Sequence, residues 1–310
     1  MSELIVLKKL SKSFGAFKAV DAIDLSIPKG QVLGFLGPNG AGKSTTMKMI
    51  SGFLEPTSGK AEVAGLDVSK SPVEVKRQIG YMPEGAPSYG DMTTGSFLNF
   101  VAEIRGFSGA EKAQAIDKTV ERVRLSEVFN QQIETLSKGF KRRVGLAQAM
   151  LHDPEVLILD EPTDGLDPNQ KHHVRSLIDE MAHDKAIIIS THILEEVEAV
   201  CSRAVIIAHG RLLADGTPES LLARDPNHNS ILITPETGSE DQIRDALRPL
   251  GALSDVVGPE RQLRLTGSNS KDVAAAIRDK QLPIEGLHVE RGTLDDVFRQ
   301  ITTSEETSHA

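Results

Sequence analysis

The chain has 310 residues, 39% apolar and 25% charged, which fits a soluble globular protein with room for one large domain and a small one. A formal net charge of −9 excludes a broad electrostatic footprint for nucleic acid or anionic lipid, so any bound anion must be held by local geometry. One cysteine, Cys201, excludes an intramolecular disulfide and a Cys-rich metal site. In chain order, residues 3–27 alternate apolar and polar in short runs and read as antiparallel strands. QVLGFL at 31–36 reads as a buried strand; GPNGAGKS follows, and then TTMKMISGFL with helical periodicity. A short helix over 72–79 precedes the Gly- and Pro-rich loop GYMPEGAPSYG. Residues 94–135 read as helical pieces, with Ser108 and Glu111 at capping-box spacing. A helix from 139 closes before Pro154, and EVLILDE, KAIIISTH and AVIIAHG are three more strands separated by helical patterns. Strands alternating with helices imply right-handed crossovers and a largely parallel sheet.

The texture changes at RDPNHN, 224–229. Beyond it the pattern predicts strand 230–234, helix 238–249, strands 253–257 and 261–266, helix 271–280, strand 284–290 and helix 293–301, a ferredoxin-like order. The expected domains are 1–224, with a helical subdomain at about 91–150, and 228–301, followed by a disordered tail, 302–310.

GPNGAGKS matches G-x-x-x-x-G-K-S from Gly37 to Ser44 between a strand and a helix. That context predicts backbone amides curled round phosphates, Lys43 reaching the terminal phosphates and Ser44 holding Mg²⁺. EVLILDE supplies the second half: Asp160 ends a buried strand where it can hold Mg²⁺, and Glu161 beside it can act as general base on water. LSKGFKRRVGLAQAML, 136–151, begins a helix with no acid in its first turn, although helix N-termini attract anions.

Together these motifs, over residues 1 to about 222, resemble the ATP-binding cassette (ABC) ATPases. The resemblance implies an α/β P-loop NTPase cassette: a largely parallel sheet, an antiparallel β-subdomain and a helical subdomain, here followed by the small α+β domain. It implies that Gly37, Pro38, Asn39, Gly40, Ala41, Gly42, Lys43, Ser44 and Thr45 contact ATP and that Phe14 stacks on adenine. Ser137, Lys138 and Gly139 stand at the LSGGQ signature, which faces the γ-phosphate bound to the opposite subunit; Asp167 in DGLD corresponds to the D-loop at the dimer seam. His192 corresponds to the switch histidine, and Glu84 to the Q-loop residue that reaches Mg²⁺ or water. Three positions depart from the pattern: Glu84 stands for Gln, Lys138 for a signature glycine, and Phe140 for the signature Gln. The SKG signature, the Q-loop Glu and the ending GTLDDVFRQIT are similar to ATPase subunits of ABC-2 type exporters, including drug-export and gliding-motility relatives.

The expectation is therefore an ATPase subunit that closes head-to-tail on its own copy around two ATP·Mg²⁺ and drives a separate integral membrane permease. MSELIVLKKL is not a signal peptide, and no run reaches the ~18 apolar residues of a bilayer span, so the chain is expected on the cytoplasmic face of the inner membrane, held through its partner only. No nucleic acid contact is expected. The competing readings are a soluble ABC ATPase of repair, translation or assembly, and a kinase that shares only the phosphate loop.

Overall fold

The computed structural model describes residues 2–85, 89–256 and 262–308, with side chains in the last helix described to residue 302. The chain divides into two compact units, Met1–Pro218 and Glu219–Ala310.

In the first unit, β1 (Glu3–Phe14) and β2 (Phe17–Pro28) form the expected antiparallel hairpin. With β4 (Ser58–Val63) and β5 (Leu66–Asp67) they make a sheet ordered β2-β1-β4-β5. The second sheet has the order β10-β9-β3-β8-β7-β6. It is built from β3 (Val32–Leu36), β6 (Ile79–Met82), β7 (Val156–Asp160), β8 (Ala186–Thr191) and β9 (Arg203–Ala208), all parallel, with β10 (Arg211–Gly216) antiparallel at the edge. Every residue of β3, β7 and β8 is buried, as befits strands covered on both faces. Leu33, Phe35, Val156, Ile158, Ile188 and Val205 join Leu7, Leu10 and Ile23 of the hairpin in one core, each worth about 1.5–3 kcal/mol of burial.

Helices α1 (Lys43–Ile50) and α2 (Pro72–Gln78) precede the helical segment, α3 (Thr94–Ile104), α4 (Gly109–Arg122) and α5 (Lys138–Met150); α6 (Pro168–Ala182) and α7 (Leu194–Val200) flank β8. Ser108 stands at the N-cap of α4, yet its side chain makes no capping bond; Gly109, the first helical residue, is left-handed at φ 55°. The loop GYMPEGAPSYG is described except for Ala86–Ser88, which lie outside the described residues. No described helix is long and apolar enough to cross a membrane.

The second unit begins earlier than the composition change at 224, because the short helix α8 (Pro218–Leu222) falls largely within it. It holds β11 (Ser230–Pro235), α9 (Glu240–Leu247), β12 (Ala252–Val256), β13 (Gln262–Thr266), α10 (Ser270–Asp279) and β14 (Ile284–Glu290). Its antiparallel sheet is ordered β12-β13-β11-β14, the arrangement of a split βαβ, over a core of Ile231, Ile233, Ile243, Leu247, Leu265 and Val273. The expected strand ends at 257 and 261 lie outside the described residues. The tail differs from expectation: α11 (Leu294–Ser308) runs through residues 302–308. Thr293 starts it by accepting from the Asp296 amide at 3.2 Å, and no Gly or Pro follows to stop it.

Candidate functional site

The phosphate loop leaves the carboxyl end of β3 and enters α1, with no acid in the first turn of the helix. Gly42, at its N-cap, has φ 107°, and a Cβ there would lie 2.5 Å from the Ala19 carbonyl oxygen, so only glycine fits this turn. The loop is thereby pressed against β2, and the helix amides are turned outward as an anion site. Lys43 is buried, and its Nζ donates to the carbonyls of Gly37 (2.5 Å) and Pro38 (3.1 Å). Burial lowers its pKa, and the carboxylates of Glu161, Asp160 and Glu84 oppose that shift.

Asp160 ends β7, only 4% exposed, and accepts from the Ser190 hydroxyl of neighbouring β8, its partner in the ladder. The next residue, Glu161, is left-handed at φ 52°, a strained conformation for a side-chain-bearing residue, and its amide donates to the Ser190 carbonyl at 3.0 Å. This kink turns the Glu161 side chain off the strand line toward His192, whose Nδ1 lies 2.9 Å from Oε1. The contact with Glu161 raises the His192 pKa above its ordinary value. Tyr81, on β6, has its hydroxyl pushed up to about 12 by burial and by the nearby Asp160 and Glu84 carboxylates.

One cavity of about 540 Å³ gathers Phe14, Gly37–Gly40, Gly42–Thr45, Glu84, Asp160, Glu161 and His192. Ala41 does not line it; it is 4% exposed and packs in the core below the loop. Phe17, Asp164 and Ser190 are additions. Phe17 repeats Phe14 across the hairpin turn, and Asp164 also lines the cavity. Ser190 shows in sequence only as one of two hydroxyl residues that end an apolar strand. The Ser44 hydroxyl and the Asp160 and Glu84 carboxylates share this cavity, a hard-oxygen set suited to Mg²⁺. Among the described residues no three His, Cys, Asp or Glu side chains cluster as a metal cage.

The signature segment lies elsewhere. Ser137 caps α5 itself, its Oγ accepting from the Phe140 amide at 3.3 Å, so the helix start is free of acid but not uncapped. Gly139 packs against Gln170 of α6: a Cβ there would sit 2.2 Å from Oε1. Asp167 caps α6 through the Gln170 amide at 2.9 Å. Lys138 lines a second pocket with Lys141, Arg142, Glu84, Gly85 and Asp164. Arg142 pairs with Asp164 at 3.3 Å, and the Phe140 ring is covered by the Arg143 guanidinium at 4.2 Å, a packing role in place of a polar contact. Ser137, Lys138, Gly139 and Asp167 therefore do not line the phosphate-loop cavity of their own chain.

Residues 20–164 match the family described as ABC transporter. The linearmycin resistance ATP-binding protein LnrL of Bacillus subtilis is 34% identical over 312 residues, covering 96% of this chain and 98% of that protein. The probable multidrug ABC transporter ATP-binding protein YbhF of Escherichia coli is 36% identical over 72% of this chain; the match spans 39% of that longer protein. A solved structure of an ATP-binding subunit of an ABC transporter superposes with a TM-score of 0.66 at 32% identity, over 71% of this chain and 92% of that one. The chain belongs to the ATP-binding subunits of the ABC transporter family, and its first unit is their ATPase cassette.

Proposed function

We propose that this chain hydrolyses ATP as a head-to-tail pair with a second copy of itself and thereby drives a separate membrane subunit of an exporter. The observation that carries the pairing is the split of the site. The phosphate loop, Asp160, Glu161 and His192 share one cavity, while the acid-free helix start at Ser137–Gly139 lies outside it. A second chain brings that helix start to the cavity, where it meets the terminal phosphate.

Within each site the P-loop amides and Lys43 hold the phosphates, and Lys43 exchanges the Gly37 and Pro38 carbonyls for them. Glu161 takes the proton of the attacking water, and His192 orients Glu161 and reaches the phosphate. Mg²⁺, held by Ser44, Asp160 and Glu84, would neutralise phosphate charge. Closure does work only because a partner binds the open and closed pairs differently. The roles named for the relatives, linearmycin resistance and multidrug transport, support export through an integral membrane permease, with this chain docked on its cytoplasmic face.

The test is purification of the tagged chain at native expression from membranes in mild detergent. Recovery of a multi-span protein in stoichiometric amount is expected. A cytosolic pool with soluble companions only would replace transport by repair, translation or assembly work.

A further inference from the structure

Glu196 is the buried carboxylate that the chemistry above leaves unused. It lies on α7, 5% exposed, in a position where an apolar residue would pack at less cost. Its Oε2 accepts from the Thr163 hydroxyl and, at 3.4 Å, from the Thr191 hydroxyl; its Oε1 meets Lys171 of α6 at 2.9 Å. Thr163 and Thr191 are themselves 3% and 0% exposed, so water cannot replace the carboxylate.

The chain positions of these partners matter. Thr163 lies two residues after Glu161, and Thr191 immediately precedes His192. The contacts thus close a ring: Glu161 to Thr163 along the chain, Thr163 to Glu196 to Thr191 by hydrogen bonds, Thr191 to His192 along the chain, and His192 back to Glu161 at 2.9 Å. Thr191 also accepts from the Ile193 amide at 3.0 Å, which pins the turn that presents the imidazole. Lys171 extends the ring to the helix that starts at Asp167.

We propose that Glu196 is a positioning residue for ATP hydrolysis, which fixes the spacing of Glu161 and His192 by clamping the loop after the one and the strand end before the other. It does not line the phosphate-loop cavity and acts only through that pair. The proposal rests on the ATPase reading, which turnover by the unmodified chain tests separately in the same assay.

The test is a kinetic double-mutant cycle on the full chain with Glu196→Ala, His192→Ala and the double variant, reading kcat and KM for ATP. Glu196→Ala is expected to lower kcat about 10-fold or more, since small misplacements of a catalytic pair are that costly, with KM little changed. In the His192→Ala background the same substitution is expected to cost less than about twofold, because the pair it positions is already broken. Glu196→Gln, which keeps an acceptor for both threonines, is expected to restore most of kcat. Wild-type kcat in Glu196→Ala, or an equal loss in both backgrounds, would overturn the proposal and leave Glu196 a fold-stabilising residue. If Glu196→Ala does not fold, Thr191→Val enters the cycle in its place with the same two outcomes.

Discussion

Replacing Ser190 by Ala removes one hydrogen bond at the centre of the site and should be felt twice. The Ser190 hydroxyl is fully buried and donates to Asp160, itself 4% exposed, so no water can take its place. A buried hydrogen bond to a charged group contributes about 1.5–3 kcal/mol, and its loss leaves the Asp160 oxygen unpaired. We expect about 2 kcal/mol of destabilisation, which for a unit of this size lowers Tm by about 4–8 °C in nucleotide-free calorimetry. The second effect is on the ion. Asp160 is oriented by Ser190 as a metal-ligating carboxylate is oriented by its outer hydrogen bonds, and loss of such a partner costs about 10-fold in metal affinity. The Mg²⁺ concentration for half-maximal ATPase should rise by that factor. A variant with wild-type Tm and an unchanged Mg²⁺ requirement would refute both the energetic argument and the assignment of Ser190 as the support of Asp160.

Three further outcomes follow from the same geometry. Glu161→Gln should cut turnover by at least ~10²-fold while ATP binding and pairing persist, measured by phosphate release and nucleotide titration; retained turnover would remove Glu161 as general base. The imidazole of His192 should titrate above its ordinary 6.5 by NMR, because the contact with Glu161 favours the cation. That stabilisation is complete below pH 6.5 and is lost as pH rises through the folded-state pKa, and Glu161→Gln should return the titration toward 6.5. His152 runs the other way: burial, then the Arg105 guanidinium, depress it to about 4, and its Nδ1 is buried without a partner. Its neutral form therefore supports the fold above pH 6.5, and stability falls as pH drops from 6.5 to 4, by at most about 3 kcal/mol before solvent screening. His152→Gln should flatten that part of the urea-stability profile, and an equal slope in both proteins would contradict the burial argument.

What the sequence made legible is what one strand or one loop carries alone. GPNGAGKS and EVLILDE could be placed at strand ends facing one cavity because their glycines and acids sit at fixed steps from an apolar run. The split βαβ order of the second unit was legible for the same reason, each element having its own period. Ser190 and Glu196 were not, since each acquires meaning only from a neighbour 30 or 33 residues away in the chain. The capping of α5 is hidden for a different reason. The absence of acids in its first turn is visible in the letters, but the Ser137 rotamer that caps the helix is not. Helix α11 extends through 302–308 against a polar composition, since composition reports the lack of a core partner and not the lack of helix propensity.

A common thread links the groups assigned to ATP. Lys43 is satisfied by the Gly37 and Pro38 carbonyls, Ser137 by the Phe140 amide, His192 by Glu161, and Asp160 by Ser190. Nucleotide binding at such a site exchanges hydrogen bonds rather than creating them, and an exchange of equals yields little net free energy. The surplus must come from charge: phosphates are stronger acceptors for the Lys43 ammonium than the neutral carbonyls it now holds. Loss of the γ-phosphate removes much of that surplus, and the internal partners stand ready to take their donors back. The Arg142–Asp164 pair stands between the two pockets, because Asp164 lines both the phosphate-loop cavity and the pocket beside Lys138. Groups that keep internal partners without ATP let the nucleotide leave as readily as it binds, as a cycling ATPase requires.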